Sequence, residues 1–193
     1  MTVLLAIYKY LFPFVLGMLS LLLYRKQYRF MRKFYWRMTL YWKARKFYIL
    51  VIYAHLLLYS YTFYVADGIS IGIALSSVFM LPLVFFRMAD KWLHRLHEYA
   101  GKLLLLVFLA VVIAPASSMV IASVTMLTVG VTAMFYPSEH ILRLSSDPKY
   151  YKDIRLTMGN IVEHYYGRPD RHPAYSKKHL ARNNHRNYKN ENQ

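Results

Sequence analysis

Apolar residues fall in four long runs, and basic residues fill the gaps between them. Val3 to Leu23 is interrupted by charge only at Lys9, while Phe47 to Ala66 and Ile69 to Phe86 carry no formal charge. The fourth run, Leu103 to Tyr136, continues for 34 residues. A helix needs about 20 apolar residues to cross a hydrocarbon core of about 30 Å. The first three runs therefore predict single spans at 3–23, 47–66 and 69–86, the last two joined by a minimal turn at Asp67-Gly68. As one helix the fourth run would reach about 51 Å at about 1.5 Å per residue, too long for one crossing. Pro115, followed by Ala116-Ser117-Ser118, marks a break inside it. The run then predicts two segments, 97–115 and 119–136, forming a hairpin or a re-entrant pair. The first of these lengthens backward through Ala100 and Leu96 or stays a half-helix.

Composition sharpens this pattern. Hydrophobic residues make up 57% of the 193-residue chain and aromatic residues 17%, yet the formal net charge is +16. Charge and oil coexist at these levels only when they are segregated along the chain. An ordinary soluble globule and a disordered chain are both excluded, and the expected class is an all-α, polytopic integral membrane protein. The absence of Cys excludes a disulfide framework, Cys-ligated zinc and thiol catalysis.

Charge also sets direction. Nine Lys and Arg and no acid lie between Tyr24 and Tyr48, and a short loop of that kind stays in the cytoplasm. From Pro137 onward eleven Lys and Arg stand against six acids. Two passages in the fourth run return this segment to the cytoplasmic side. The expected layout is five membrane segments, N-terminus outside and C-terminus inside, in a membrane domain over 1–136 and a cytoplasmic tail over 137–193. A bacterial inner membrane is the expected location. A secretory signal is the competing reading of the first run, but no small-x-small cleavage site precedes Tyr24.

The interfacial loop, 24–46, is amphipathic at helical period. Arg25, Lys26, Arg29, Arg32, Lys33, Arg37 and Lys43 share one arc, into which Trp36 and Leu40 intrude. Phe30, Met31, Phe34, Tyr35, Met38, Tyr41 and Trp42 share the other. This is the design of a helix lying at a membrane surface, and the seven basic residues are candidate contacts for anionic lipid. In the tail, Asp147 as N-cap with Pro148 at the first position predicts a helix over 148–166, stopped by Gly167-Arg168-Pro169. Tyr151, Ile154, Met158, Ile161, Val162 and Tyr165 form its apolar stripe, which must be buried on the bilayer, on the chain's own loops or on another chain. These six are the candidate partner-binding residues. Residues 168–193 are basic and poor in apolar side chains, and are expected to be disordered.

Candidate chemistry is sparse. His55 is the one titratable side chain well inside a span, apart from tyrosines, and reads as a hydrogen-bonding packing residue. His94, His97 and Glu98 are helical neighbours, which the simpler reading makes an exposed turn with Asp90–His94 and His94–Glu98 pairs. No nucleophile motif, phosphate loop or zinc-protease motif occurs, and no catalytic residue, metal or cofactor is expected. The expected function is that of a non-enzymatic subunit, regulator or accessory factor of a larger membrane complex. An accessory or exclusion protein of a plasmid or phage is one specific version. The expected partners are other membrane proteins and anionic lipids. Two alternatives come from other classes. One is an adaptor whose basic loop and tail bind nucleic acid or ribosomes, and the other is an enzyme or channel centred on His55 or on His94, His97 and Glu98.

Overall fold

The computed structural model describes residues 2–146 and 161–166, and among them the chain is helical with no strand. Helix α1 (Thr2–Leu23) leads through a turn to α2 (Arg29–Leu40), and the single extended residue Tyr41 separates α2 from α3 (Trp42–Asp67). Helix α3 stops at Gly68, whose φ of 75° lies in the left-handed region that an L side chain enters only under strain. Ser70 then caps α4 (Ile71–Val84), its hydroxyl accepting from the Ile73 N–H at 3.4 Å. Helix α4 gives way through a 106° bend to α5 (Phe86–Glu98). Helix α6 (Ala100–Ile113) is followed by a 3-10 turn (Ser117–Met119), α7 (Val120–Met134), α8 (Glu139–Ser146) and the short α9 (Ile161–Tyr165).

Two of the described helices are long and apolar enough to cross a membrane, Trp42–Asp67 and Ser117–Met134, or three if the bent α4–α5 pair is one span. The Leu11–Leu23 part of α1 and α6 (Ala100–Ile113) are shorter apolar helical stretches. The chain is thus helical over the described residues, with two or three helices whose length and composition are compatible with a membrane.

Helix α7 is the axis of the bundle. Eleven of its 15 residues are buried, although four of those are Ser or Thr. Each hydroxyl is satisfied at close range. Thr125, Thr128 and Thr132 donate to the carbonyls of Ile121, Val124 and Thr128, four residues back in the same helix, at 2.7 to 2.8 Å. Ser123 donates across to the Ala110 carbonyl of α6 at 2.7 Å, and Thr125 meets Ser76 of α4 at 2.7 Å. With their polar atoms paired in this way, the side chains present methyl and methylene surface to the neighbouring helices.

Contacts along α7 fix the direction of its neighbours. Gly130 faces Leu103, Leu106 and Val107, and Ser123 reaches Ala110, so α6 runs antiparallel to α7 and the turn falls at 114–119. Gly72 lies against Ser118 and Ile121 and Ser76 against Thr125, so α4 runs parallel to α7. Tyr48 reaches the Thr132 carbonyl at 3.5 Å, while Tyr59 and Phe63 pack with Ile121 and Val124, so α3 is antiparallel. Helix α1 joins α3 through Tyr8 and Phe12, and its far end brings Tyr24 to Phe135 and Tyr166. The Gly68 turn and the 114–119 turn therefore share one end of the bundle. Helices α2, α5, α8 and α9 gather at the other.

Two boundaries here differ from the sequence expectation, each for a physical reason. The run 69–86 ends as a helix at Val84, because Pro82 has entered the last turn and the charged, amphipathic α5 must turn aside. Helix α5 buries Ala89, Leu93 and Leu96 on one face and leaves Arg87, Lys91 and Arg95 exposed on the other. That use of Leu96 also prevents α6 from lengthening backward through it: Tyr99, at φ −93° and ψ 86°, breaks the chain, and α6 begins at Ala100. At 14 residues α6 is about 21 Å long, short of a full hydrocarbon core.

Gly72 is where α4 and α7 come closest. A Cβ there would fall on the Ser118 carbonyl oxygen and within 2.8 Å of Ile121 Cγ2. The first obstacle is backbone and cannot rotate away. Gly72→Ala is expected to destabilise the bundle by about 1–3 kcal/mol through overpacking. Thermal unfolding in mild detergent measures this; a transition at the wild-type temperature would show that α4 and α7 are not in register at Gly72.

Candidate functional site

Polar side chains converge at the end of the bundle that holds α2, α5 and α8. Asp90 of α5 is the centre. The Tyr136 hydroxyl, just past the end of α7, donates to Asp90 Oδ1. Arg45 Nε of α3 stands 3.4 Å from the same oxygen, and His94 Nε2, one turn along α5, stands 3.7 Å away. The side chains of Arg45 and His94 are only 15% and 12% exposed. Arg45 also serves the end of α2, its Nη1 donating to the Met38 and Thr39 carbonyls at 3.2 and 3.4 Å. Those carbonyls belong to the last turn of a helix, where orphan acceptors and the negative dipole end attract a cation.

A tyrosine cluster extends this junction. The Tyr165 hydroxyl donates to the Phe135 carbonyl at 2.8 Å, and the Ser138 N–H donates to the Tyr165 carbonyl at 3.2 Å. The Tyr166 hydroxyl donates to the Tyr35 hydroxyl at 3.1 Å. Arg25, in the left-handed region at φ 57°, lies over the rings of Tyr24 and Tyr166 at 5.4 and 5.5 Å. His97 Nδ1 lies 3.0 Å from the Ala133 carbonyl, so this nitrogen carries the proton. Glu98 Oε1 accepts from the Glu139 N–H at 3.2 Å and holds the start of α8.

Burial favours the neutral form of Tyr136 and His94, two of the three groups around Asp90. Burial first, and then the neighbouring Asp90, pushes the Tyr136 hydroxyl far above its usual range, so it acts as a donor. Burial outweighs every other influence on His94 and lowers its pKa from 6.5. Asp90, the Pro137 carbonyl and Glu139 pull the other way, and Arg45 reinforces the lowering.

The structure separates the residues proposed from sequence. His55 accepts from or donates to the Tyr8 hydroxyl at 3.0 Å through Nε2 and packs on Phe12 at 4.3 Å, which ties α3 to α1. His94, His97 and Glu98 diverge to Asp90, Ala133 and Glu139, so the turn is a half-buried junction and not an exposed surface. No group of three or more His, Cys, Asp or Glu suited to a metal occurs among the described residues. Of the tail stripe, Ile161, Val162 and Tyr165 are buried against the chain's own core. Tyr151, Ile154, Met158 and residues 168–193 lie outside the described residues. Arg25, Lys26, Arg29, Arg32, Lys33, Arg37 and Lys43 are all exposed. Sequence reasoning missed the pairing of Arg45, Asp90 and Tyr136. Its one local signal is the Asp90–His94 spacing of four residues.

The chain matches no protein-family model, no curated protein and no solved structure. What the junction can do chemically rests on its own geometry: it holds helix ends together around Asp90, whose near oxygen accepts from Tyr136 and stands beside Arg45 and His94.

Two outcomes follow from that geometry. Tyr136→Phe removes a donor to a charged acceptor and is expected to cost about 1.5–3 kcal/mol in detergent unfolding, toward the lower end because Asp90 is partly exposed. A stability equal to wild type would show that the bond contributes nothing net. His94 titrates in the opposite sense from a salt-bridged histidine. Its folded pKa lies below 6.5, so the unfolded chain binds the proton more readily. Stability is complete above about pH 6.5 and falls as pH drops through the folded pKa. Unfolding measured between about pH 7.5 and 5 should show this loss, and His94→Gln should flatten it.

Proposed function

We propose that the chain is a small integral membrane protein that works without enzymatic chemistry, as a subunit, regulator or accessory factor of a larger membrane complex. The observation that carries this reading is how the ionisable groups of the junction are spent. Arg45 serves the carbonyls ending α2, Glu98 serves the start of α8, and Asp90 gathers Tyr136, Arg45 and His94. These are the duties of structural residues. The outward surface is apolar instead: Leu104, Leu105, Phe108, Val111 and Val112 of α6 are all exposed. Partner spans and lipid are what such a face takes.

In this proposal the chain has five membrane segments in a bacterial inner membrane, with the N-terminus outside and the tail in the cytoplasm. The antiparallel α6–α7 hairpin supports a return of the chain after 134 to the side of α5. The exposed basic arc of α2 and its flanks supports placing that side in the cytoplasm, against anionic lipid.

Copurification from native lipid in mild detergent tests the function. A stoichiometric membrane partner is expected; a lone monomer under those conditions would remove the subunit reading. A reporter fused after Gln193 tests the layout. Cytoplasmic activity is expected, and activity on the opposite face would reduce residues 103–136 to one crossing.

A further inference from the structure

The one-residue joint at Tyr41 opens a notch between α2 and the first turns of α3. Tyr41 is extended, at φ −112° and ψ 109°, so the two helices diverge at once. The space between them measures about 480 Å³, within the range of about 300–1,000 Å³ common for ligand sites. Phe30, Phe34, Phe47 and Val51 line its walls, with Lys33 and Arg37 at the same notch. Phe30, Phe47 and Val51 are 57%, 66% and 46% exposed, so the apolar walls stand open.

Resting on the membrane reading above, we propose that this notch binds one anionic phospholipid. Lys33 and Arg37 hold its phosphate, and one acyl chain lies against Phe34, Phe47 and Val51. Three observations converge on that occupant. Lys33 and Arg37 are one helical turn apart, on the flank of α2 that faces the notch, and both are exposed. No acid occurs between Arg25 and Tyr48, and among the described residues no carboxylate pairs with either cation. Phe47 and Val51 open the apolar run Phe47 to Ala66, so the notch leads from the level of the cations toward the hydrocarbon. A phosphate joined to an acyl chain matches this order of charge and oil. The opposite face of α2 does not compete for it: Met31, Tyr35 and Thr39 are turned into the protein, and the buried Met38 adds apolar surface to the notch.

The test uses the full chain in a neutral detergent, titrated with short-chain phosphatidylglycerol or phosphatidylcholine and read by native mass spectrometry. One phosphatidylglycerol is expected to be retained, in preference to phosphatidylcholine. Lys33→Gln with Arg37→Gln should weaken its retention by at least about tenfold. Arg29→Gln with Arg32→Gln removes equal charge from the same helix outside the notch, and should weaken it by less than about threefold. Ala44→Trp fills the notch, which Ala44 lines, and should displace the lipid with every cation in place. Equal loss in the two double variants would overturn the site in favour of diffuse attraction. Equal retention of the two lipids, or no effect of Ala44→Trp, would overturn it as well. Release of a copurifying polypeptide by Ala44→Trp, with no lipid retained, would assign the notch to a partner helix instead. The assay reads the isolated chain, so its result is separate from whether a membrane partner copurifies. Extraction of the native protein from membranes by alkaline carbonate would refute the integral-membrane reading itself.

Discussion

The whole structure depends on burying four hydroxyl side chains on one apolar helix. Helix α7 carries Ser123, Thr125, Thr128 and Thr132 through the centre of an apolar bundle, where an unpaired hydroxyl would cost more than its packing returns. Back-bonding to the carbonyl four residues earlier removes that cost for the three threonines. The small residues Gly130, Ala122 and Ala133 then keep the cross-section narrow. A helix of leucines would have pushed α4 and α6 apart. Here Gly72 reaches the backbone at Ser118, and Ala110 lies under Ser123. The close approach and the hydroxyl pairing are one device, since small polar residues supply both.

The junction solves a different problem at the end of that helix. Several helix ends meet there, each with backbone groups that lack an intrahelical partner. Tyrosine suits the task because its ring fills apolar space while its hydroxyl reaches a distant carbonyl or carboxylate. Tyr136 delivers such a hydroxyl from the end of α7 to Asp90, and Tyr165 delivers another to Phe135. Arg45 alone links three helices: it belongs to α3, serves the carbonyls of α2 and faces Asp90 of α5. The position of α7 thereby sets the position of α5 and α2 without any long connecting strand or disulfide.

The elements were legible where one local signal decided them. The uncharged stretch Phe47 to Ala66 lies within α3 and the Asp67-Gly68 stop is its end, while the structure extends the helix back to Trp42 over Lys43, Arg45 and Lys46. Pro115 was a sound marker of the break between α6 and α7. The failures occurred where two signals overlapped. Leu96 reads equally well as the start of an apolar span and as the inner face of an amphipathic helix, and only the packing of α5 decides. Asp90 and Tyr136 are 46 residues apart, and nothing in either neighbourhood names the other. The stripe residues Ile161, Val162 and Tyr165 were visible as apolar, but periodicity cannot say which surface covers them. Tyr35 and Tyr166, whose hydroxyls meet, sit on elements 131 residues apart.

Helix α2 shows how these levels combine. Its sequence, read alone, divides into a basic arc and an aromatic arc, the pattern of a helix that rests on a bilayer. The structure divides it three ways. Met31 and Tyr35 face the protein, Arg29 and Arg32 face outward, and Phe30, Lys33, Phe34 and Arg37 line the notch beside α3 together with the buried Met38. The inward face is covered by α9, with Tyr35 against Tyr165 at 4.5 Å and against Tyr166 through its hydroxyl. Tyr165 is itself held by Phe135 and Ser138, so the covering of α2 depends on the segment that follows α7. Its charges are therefore held in one orientation by the chain's last described helix, and a surface element of 12 residues, marginal in isolation, becomes a fixed part of the fold.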